Sequence, residues 1–286
     1  MNKLLKALCF NKEISVSVLD TTEMINDAIK IHNLSHVAAA ALGRTLTVCT
    51  FMSSGLKNKG DKLFVTVKGN GVGGKITVCG NGELAMRGCV DNPTIELPLK
   101  DNGKLNVGAF VGNTGKLNIT KSMGLKEPYT GSSNLVTGEI AEDFTAYYAL
   151  SEQIPTAIAL GVKIGKNRNC IGAGGVVVQA LPFASEESLS LAEKIINSLT
   201  NVSSLIETIG AEEILKQYFN QSNFETFLPE YKCLCSRENT ESILISLGKE
   251  ELLDIILKEG KVSVSCEFCN TTYEFSKEDI VALFDE

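Results

Sequence analysis

Two short stretches, "YKCLCS" at 231–236 and "SCEFCN" at 265–270, place Cys233, Cys235, Cys266 and Cys269 near the carboxyl end of a chain with only two histidines. The segment that carries them, about 229 to 286, is too small to rely on an apolar core of its own. Domains near 60 residues are marginal unless something staples them. Four thiolates can be that staple, because they bind Zn²⁺ tetrahedrally at roughly 2.3 Å. The second pair has the common Cys-x-x-Cys knuckle spacing. The first, Cys-x-Cys, is tighter, but residues i and i+2 of an extended segment share a face, and a slight turn can bring both sulfurs to one ion.

The compartment decides between a metal and a disulfide. The amino terminus "MNKLLKALCFNKEISVSV" breaks its apolar patch at Asn11, Lys12 and Glu13, too early for a secretory segment and far short of a spanning helix. A cytoplasmic protein is expected, with no membrane partner. There the thiol pool is reducing, so clustered cysteines read as metal ligands or redox sensors. Thiolates are the oxidisable form of cysteine, and converting each close pair to a disulfide would remove the ligands. Structural zinc contributes on the order of 10 to 16 kcal/mol in small peptides, against about 5 to 15 for the stability of a whole domain. Losing the ion should therefore unfold the segment. A static zinc knuckle and a cluster of free thiols are the plainer alternatives.

Charge divides the chain. Residues 1–185 carry 19 basic and 14 acidic side chains, and 186–286 carry 8 and 20, so +5 and −12 make up the net −7. Such parts attract each other weakly through a screened surface.

The first part mixes helical and strand patterns. "DTTEMINDAIKIHNLSHVAAAALGRTLTVCTFMSSG" opens with a capping-box pattern, Asp20 to Glu23, and predicts two helices, the second largely buried. "KLFVTVKGNGVGGKITVCGNGELAMRGCV" reads as antiparallel strands with tight glycine turns, continued by "KLNVGAFVGNTGKLNITKS". "TGEIAEDFTAYYALSEQIP" sets Ile140, Phe144, Tyr147 and Tyr148 on one helical face, closed by Pro155. "TAIALGVKIG" and "GAGGVVVQALP" suit buried strands. Helices and strands do not alternate regularly, so the class is α+β. After Pro182 the chain becomes acidic and brokenly helical. The expected organisation is a mixed α+β core domain with an antiparallel sheet (1–182), a helical linker (183–228) and a small zinc-binding domain (229–286).

Several other signals carry little. Gly69, Gly71, Gly74 and Lys75 nearly spell a phosphate-binding loop, but Ile76 lacks the hydroxyl, and a strand rather than a helix follows, so no nucleotide is expected. His32 and His36 are four apart without the glutamate of a zinc-protease motif, and read as surface or packing residues. Cys9, Cys49, Cys79, Cys89 and Cys170 lie mostly in apolar runs and read as inert.

"YTGSSNLVTGEIAEDFTAYYALSEQIPTAIALGV" (129–162), "GAGGVVVQALP" (172–182), "MRGCVDNP" (86–93) and the terminal "CLCS" and "CEFCNTTYEF" resemble the 33 kDa chaperonin family, the redox-regulated heat-shock holdases of bacteria. The resemblance spans essentially the whole chain. It implies an ATP-independent, non-enzymatic chaperone that binds unfolding proteins under heat and oxidative stress. The reduced form would be inactive, holding one Zn²⁺ per chain on Cys233, Cys235, Cys266 and Cys269. Oxidation would join Cys233 to Cys235 and Cys266 to Cys269, release the ion, unfold the switch region and bring dimerisation. It assigns no client-binding residues. A zinc ribbon on nucleic acid is the second reading, weakened because residues 231–286 carry 6 basic against 12 acidic side chains. A thiol oxidoreductase on Cys266-x-x-Cys269 is the third, and lacks a βαβ setting.

Overall fold

The computed structural model describes residues 1–284; the last two residues of the expected 229–286 domain lie outside the described residues. The chain forms two compact units, Met1–Lys232 and a second from Cys233 onward. Residues 183–232 group with the first.

β1 (Lys3–Cys9) and β2 (Ile14–Asp20) form a hairpin, followed by α1 (Thr22–His32) and α2 (His36–Ser53). The capping box expected from Asp20 to Glu23 does not form. Asp20 Oδ1 accepts from the Thr22 amide (3.1 Å) and hydroxyl (2.7 Å), while Thr21 is the residue that opens the helix. All residues of α2 are buried except His36 and Arg44. A helix apolar all round belongs inside, and its threonines are accommodated there because Thr45, Thr47 and Thr50 each donate to the carbonyl four residues back at 2.8 Å.

β3 (Lys62–Lys68), β4 (Lys75–Asn81) and β5 (Ala85–Val90) form an antiparallel meander. The glycine-rich 69–74 run joins β3 to β4 as a hairpin turn, with Lys68 opposite Lys75. "KLNVGAFV", expected to extend the sheet, instead holds a short helix, α3 (Val107–Val111), whose first turn is capped when the Ala109 amide donates to Asn106 Oδ1. Then come β6 (Lys116–Ser122), β7 (Tyr129–Asn134), α4 (Ala141–Tyr147), a π-helical turn over Tyr148–Glu152, β8 (Thr156–Ile164) and β9 (Cys170–Ala180). Asp143 secures the start of α4: its carboxylate accepts from the amides of Val136, Thr137, Gly138 and Ile140.

The residues expected as linker form α5 (Glu186–Ser198), α6 (Val202–Thr208), α7 (Gly210–Phe219) and a short strand, β10 (Glu225–Phe227); β11 (Glu230–Tyr231) follows, in the first residues of the stretch expected as the terminal domain. One sheet runs β10-β1-β2-β9-β8 and the other β11-β5-β4-β3-β6-β7. The first has a core on each face. Leu4, Leu19 and Val177 join α2 and the second sheet in the main core, while Leu5, Val16, Val18, Val176 and Val178 face Val202, Ile206, Ile214, Leu215 and Phe219 of the connector helices. Glycines allow that second layer to lie close. A Cβ on Gly172 would stand 2.3 Å from the Ser203 carbonyl oxygen, and one on Gly161 2.5 Å from the Ser203 amide nitrogen. Lys3–Glu212 (2.8 Å) and Lys163–Glu207 (2.6 Å) realise the charge complementarity of the two stretches.

The second unit contains α8 (Arg237–Leu247), α9 (Lys249–Glu259), β12 (Val262–Ser265), β13 (Thr272–Phe275) and α10 (Lys277–Ala282). Leu244, Leu252, Ile256, Val262, Phe275 and Ile280 make its buried cluster. Ile243, Ile245, Leu247 and Leu257 are exposed.

Candidate metal centre

The second unit's hairpin builds half of the site. β12 and β13 pair from Val262↔Phe275 to Ser265↔Thr272, and Cys266 and Cys269 occupy the connecting loop. The loop closes on Cys266, whose carbonyl accepts from the Asn270 (2.8 Å) and Cys269 (3.3 Å) amides, while its own amide donates to Thr271 O at 2.9 Å. Asn270 supplies the left-handed step at φ 57°, a conformation asparagine tolerates well. The other half precedes α8. Ser236 caps that helix by accepting from the Asn239 amide, and Asn239 Nδ2 donates to Leu234 O, which fixes the residue between Cys233 and Cys235.

These turns bring all four sulfurs within 4.8 Å of one another. Cys233 Sγ lies 3.6 Å from Cys266 Sγ, and Cys235 Sγ 3.4 Å from Cys269 Sγ. Both separations exceed the ~2.05 Å of a disulfide, and all nine cysteines are free. A tetrahedron with metal–sulfur bonds of roughly 2.3 Å has edges of about 3.8 Å, so the cage is of the size to hold a metal ion.

Two hydroxyls reach the sulfurs. Thr271 Oγ1 lies 3.2 Å from Cys269 Sγ and the Tyr273 hydroxyl 3.3 Å from Cys235 Sγ. Burial raises the Cys233 and Cys266 thiols. Burial also opposes ionisation of Cys269, but the Thr271 hydroxyl and amide prevail and hold it at about 7. Contact with Cys235 pushes Tyr273 up to about 12. Arg237 ties the segments around the cage: its guanidinium lies 4.2 Å from the Phe275 ring centroid, donates to Glu274 O at 2.9 Å and pairs with Asp279 and Glu241. Sequence reasoning missed Thr271, Tyr273 and Arg237. The available signal was the pair of hydroxyls two and four residues beyond Cys269, at the entry to β13 and on it.

The other candidates lie apart from this site. Burial raises the thiols of Cys9 to about 11 and Cys170 to about 12, and also raises Cys49 and Cys79. His32 and His36 sit on different helices. His36 Nδ1 is 2.7 Å from Glu96 Oε1, and His32 Nε2 is 3.1 Å from the Tyr231 hydroxyl. Among the described residues, no helix is long and apolar enough to cross a membrane.

The fold and the cage together define an α+β protein that ends in a small unit built around four thiols able to hold a metal. Residues 2–276 match the family model described as Hsp33 protein. The chain is 45% identical over 271 residues to the 33 kDa chaperonin of Ruminiclostridium cellulolyticum, covering 93% of this chain and 92% of that one. It is 40% identical to that of Bacillus mycoides, over 99% and 98%. The crystal structure of the 33 kDa chaperonin of Thermotoga maritima superposes with a TM-score of 0.92 at 34% identity, covering 99% of this chain and 98% of that one. The chain belongs to the Hsp33 family. That membership supports a chaperone role, and with it the binding of client proteins.

Proposed function

We propose that this chain is a redox-regulated, ATP-independent holdase of the cytoplasm that captures unfolding proteins under heat and oxidative stress. In the resting state Cys233, Cys235, Cys266 and Cys269 hold one Zn²⁺. The ion would tie "YKCLCS" to the β12–β13 loop and supply the folding energy that the small terminal core lacks. The carrying observation is the cage itself, four sulfurs within 4.8 Å in a unit with so few buried side chains.

Oxidation removes the ligand set. Cys233 and Cys235, held as thiolates, give up two electrons and form one disulfide, and Cys266 and Cys269 form the other, the two protons that each peroxide needs coming from solvent. Each pair reduces one hydrogen peroxide to two waters. Once the thiolates are consumed the terminal unit loses its staple and unfolds. The connector, 183–228 in the proposed division, begins to melt next, because only residues 229–232 separate it from the first ligand pair. Its release uncovers the apolar face of Leu5, Val16, Val18, Val176 and Val178, a surface for clients and for dimerisation of the oxidised chain.

The test follows metal, thiols and client together. The reduced chain should carry one zinc, released in step with loss of four thiols on peroxide treatment under mild heat. Only the oxidised chain should suppress light scattering by a thermally unfolding client, without nucleotide. Zinc retained after all four thiols are consumed, or equal suppression by both forms, would refute the switch.

A further inference from the structure

The covering on the outer edge of β1 is incomplete. On its inner side β1 pairs with β2 along its whole length, from Lys3↔Asp20 to Cys9↔Ile14. On its outer side it has three partners, all from the connector: Leu4↔Phe227, Leu5↔Thr226 and Lys6↔Glu225. Beyond them the connector continues along the edge through side chains. Asn2 Nδ2 donates to Pro229 O at 3.2 Å, and Gln221 Nε2 donates to Leu8 O at 2.7 Å. Where the ladder stops, a cavity of about 560 Å³ opens beside Lys6, Ala7, Leu8, Asn223 and Phe224. The connector therefore follows the edge over residues 2–8 with a main-chain ladder only three residues long.

We propose that this edge docks an extended segment of an unfolded client, which adds to the sheet antiparallel to β1 in the place that β10 occupies at rest. The inference rests on the holdase reading and specifies how the uncovered surface grips a client. A bare strand edge presents unpaired amide and carbonyl groups and is a ready template for another chain. Main-chain pairing is indifferent to most side chains, which suits a protein whose clients share only their unfolded state. The connector itself is the internal example of the occupant. It is an extended stretch whose Phe227 ring lies 5.5 Å from Lys6 Nζ, so a client segment with an aromatic residue at that place is favoured. A short ladder also makes the edge easy to vacate, since a few main-chain bonds hold β10 there.

The test uses the full chain and a fluorescein-labelled peptide copying residues 223–229, Asn-Phe-Glu-Thr-Phe-Leu-Pro. Two further versions are N-methylated, one on the amides of Glu225 and Phe227, the other on that of Thr226. Alternate amides of a strand point to opposite sides, so only one version loses its bonds to β1. The parent peptide should bind the oxidised chain, and bind the reduced chain at least about tenfold more weakly because the tethered connector competes at high effective concentration. One methylated version should bind like the parent and the other about tenfold more weakly. Saturating parent peptide should lower client protection about threefold or more, as occupancy of a shared site requires.

Equal binding of the two methylated versions would overturn the edge while leaving the holdase standing. So would peptide binding that spares client capture, or that only dissociates an oxidised dimer, which would assign the edge to a second copy. An oxidised chain that protects no client would overturn the holdase reading and this inference with it.

Discussion

Between Met1 and Lys232 a central helix buries all but two of its residues, and one sheet carries apolar layers on both faces. From Cys233 onward, six side chains form the buried cluster among the described residues, while Leu257 is 83% exposed and Ile243 60%. The first region is held by area removed from water, a force spread over many residues that no single chemical event cancels. In the proposed reading the second depends on four sulfurs, which lie within 4.8 Å of one another, so that one oxidant would consume them together. The connector belongs with the first region by packing, yet only residues 229–232 separate it from the first thiol pair. In the proposed reading it passes a failure of the weak region to the surface of the strong one.

Removing the metal should separate the two regions most sharply. Cys266→Ser, or a chelator of picomolar zinc affinity, is expected to remove on the order of 10 kcal/mol of binding energy from the terminal unit. Proteolysis should then cut beyond residue 232 first and within the connector next, while residues 1–182 keep their cooperative thermal transition. A terminal unit that stays protected without the ion would break the comparison.

Lifting the connector without touching a thiol is the next largest effect. A Cβ on Gly172 meets main-chain oxygen rather than a yielding side chain, and such overpacking costs about 1 to 3 kcal/mol. Gly172→Ala is expected to retain full zinc content yet suppress client aggregation while reduced. A variant with unaltered redox dependence would show that the close approach of α6 does not hold the chain inactive. Arg237→Ala probes the smaller clamp. Its guanidinium is 41% exposed, so screening reduces its ion pairs and the ring contact dominates, about 1 kcal/mol in all. The variant should release zinc at a lower temperature or peroxide concentration than the wild type, measured with a zinc-responsive dye.

The weak region was the more legible in the sequence, and for a physical reason. Metal chemistry needs a particular atom, so Cys233, Cys235, Cys266 and Cys269 stand out as residues before any fold is known. The glycine turn between β3 and β4 was legible for the same kind of reason, because local backbone geometry selects the residue. What escaped depends on partners far along the chain. Glu225–Phe227 forms a strand because β1 offers it an edge, and a three-residue stretch has no periodicity of its own to detect. His36 meets Glu96, and Thr271 and Tyr273 meet sulfurs only after the hairpin folds. Val107–Val111 looked like strand by composition and became helix through Asn106, a cap that local propensity did not reveal. Ile243 and Leu257 stay exposed despite their apolar side chains, since a unit with a small core cannot cover all the apolar residues it contains.

The smallest expected effect concerns the polar anchors of the connector. Hydrogen bonds from the Ser185 hydroxyl and amide lower the pKa of Glu13, and the Lys3 ammonium lowers that of Glu212. A carboxylate depressed in the folded state stabilises above its unfolded pKa, about 4.3, and that contribution disappears as pH falls through the lower folded value. Acid should therefore loosen the connector, and the depressed values place the loss below about pH 4.3 rather than near neutrality. Thiolate protonation would release zinc over an overlapping acidic range, so a pH profile of the wild type alone mixes two causes. Comparison with a Glu13→Gln, Glu212→Gln double variant separates them, because zinc loss is common to both proteins and cancels in the difference. Denaturant unfolding of the first unit should show the wild type ahead of the variant at pH 6, the gap closing by pH 3 and shrinking in 1 M salt as exposed charges are screened. A gap that stays constant across that range would mean that these carboxylates act through packing alone, and that the opposite charges of the two stretches contribute nothing to holding the connector on its sheet.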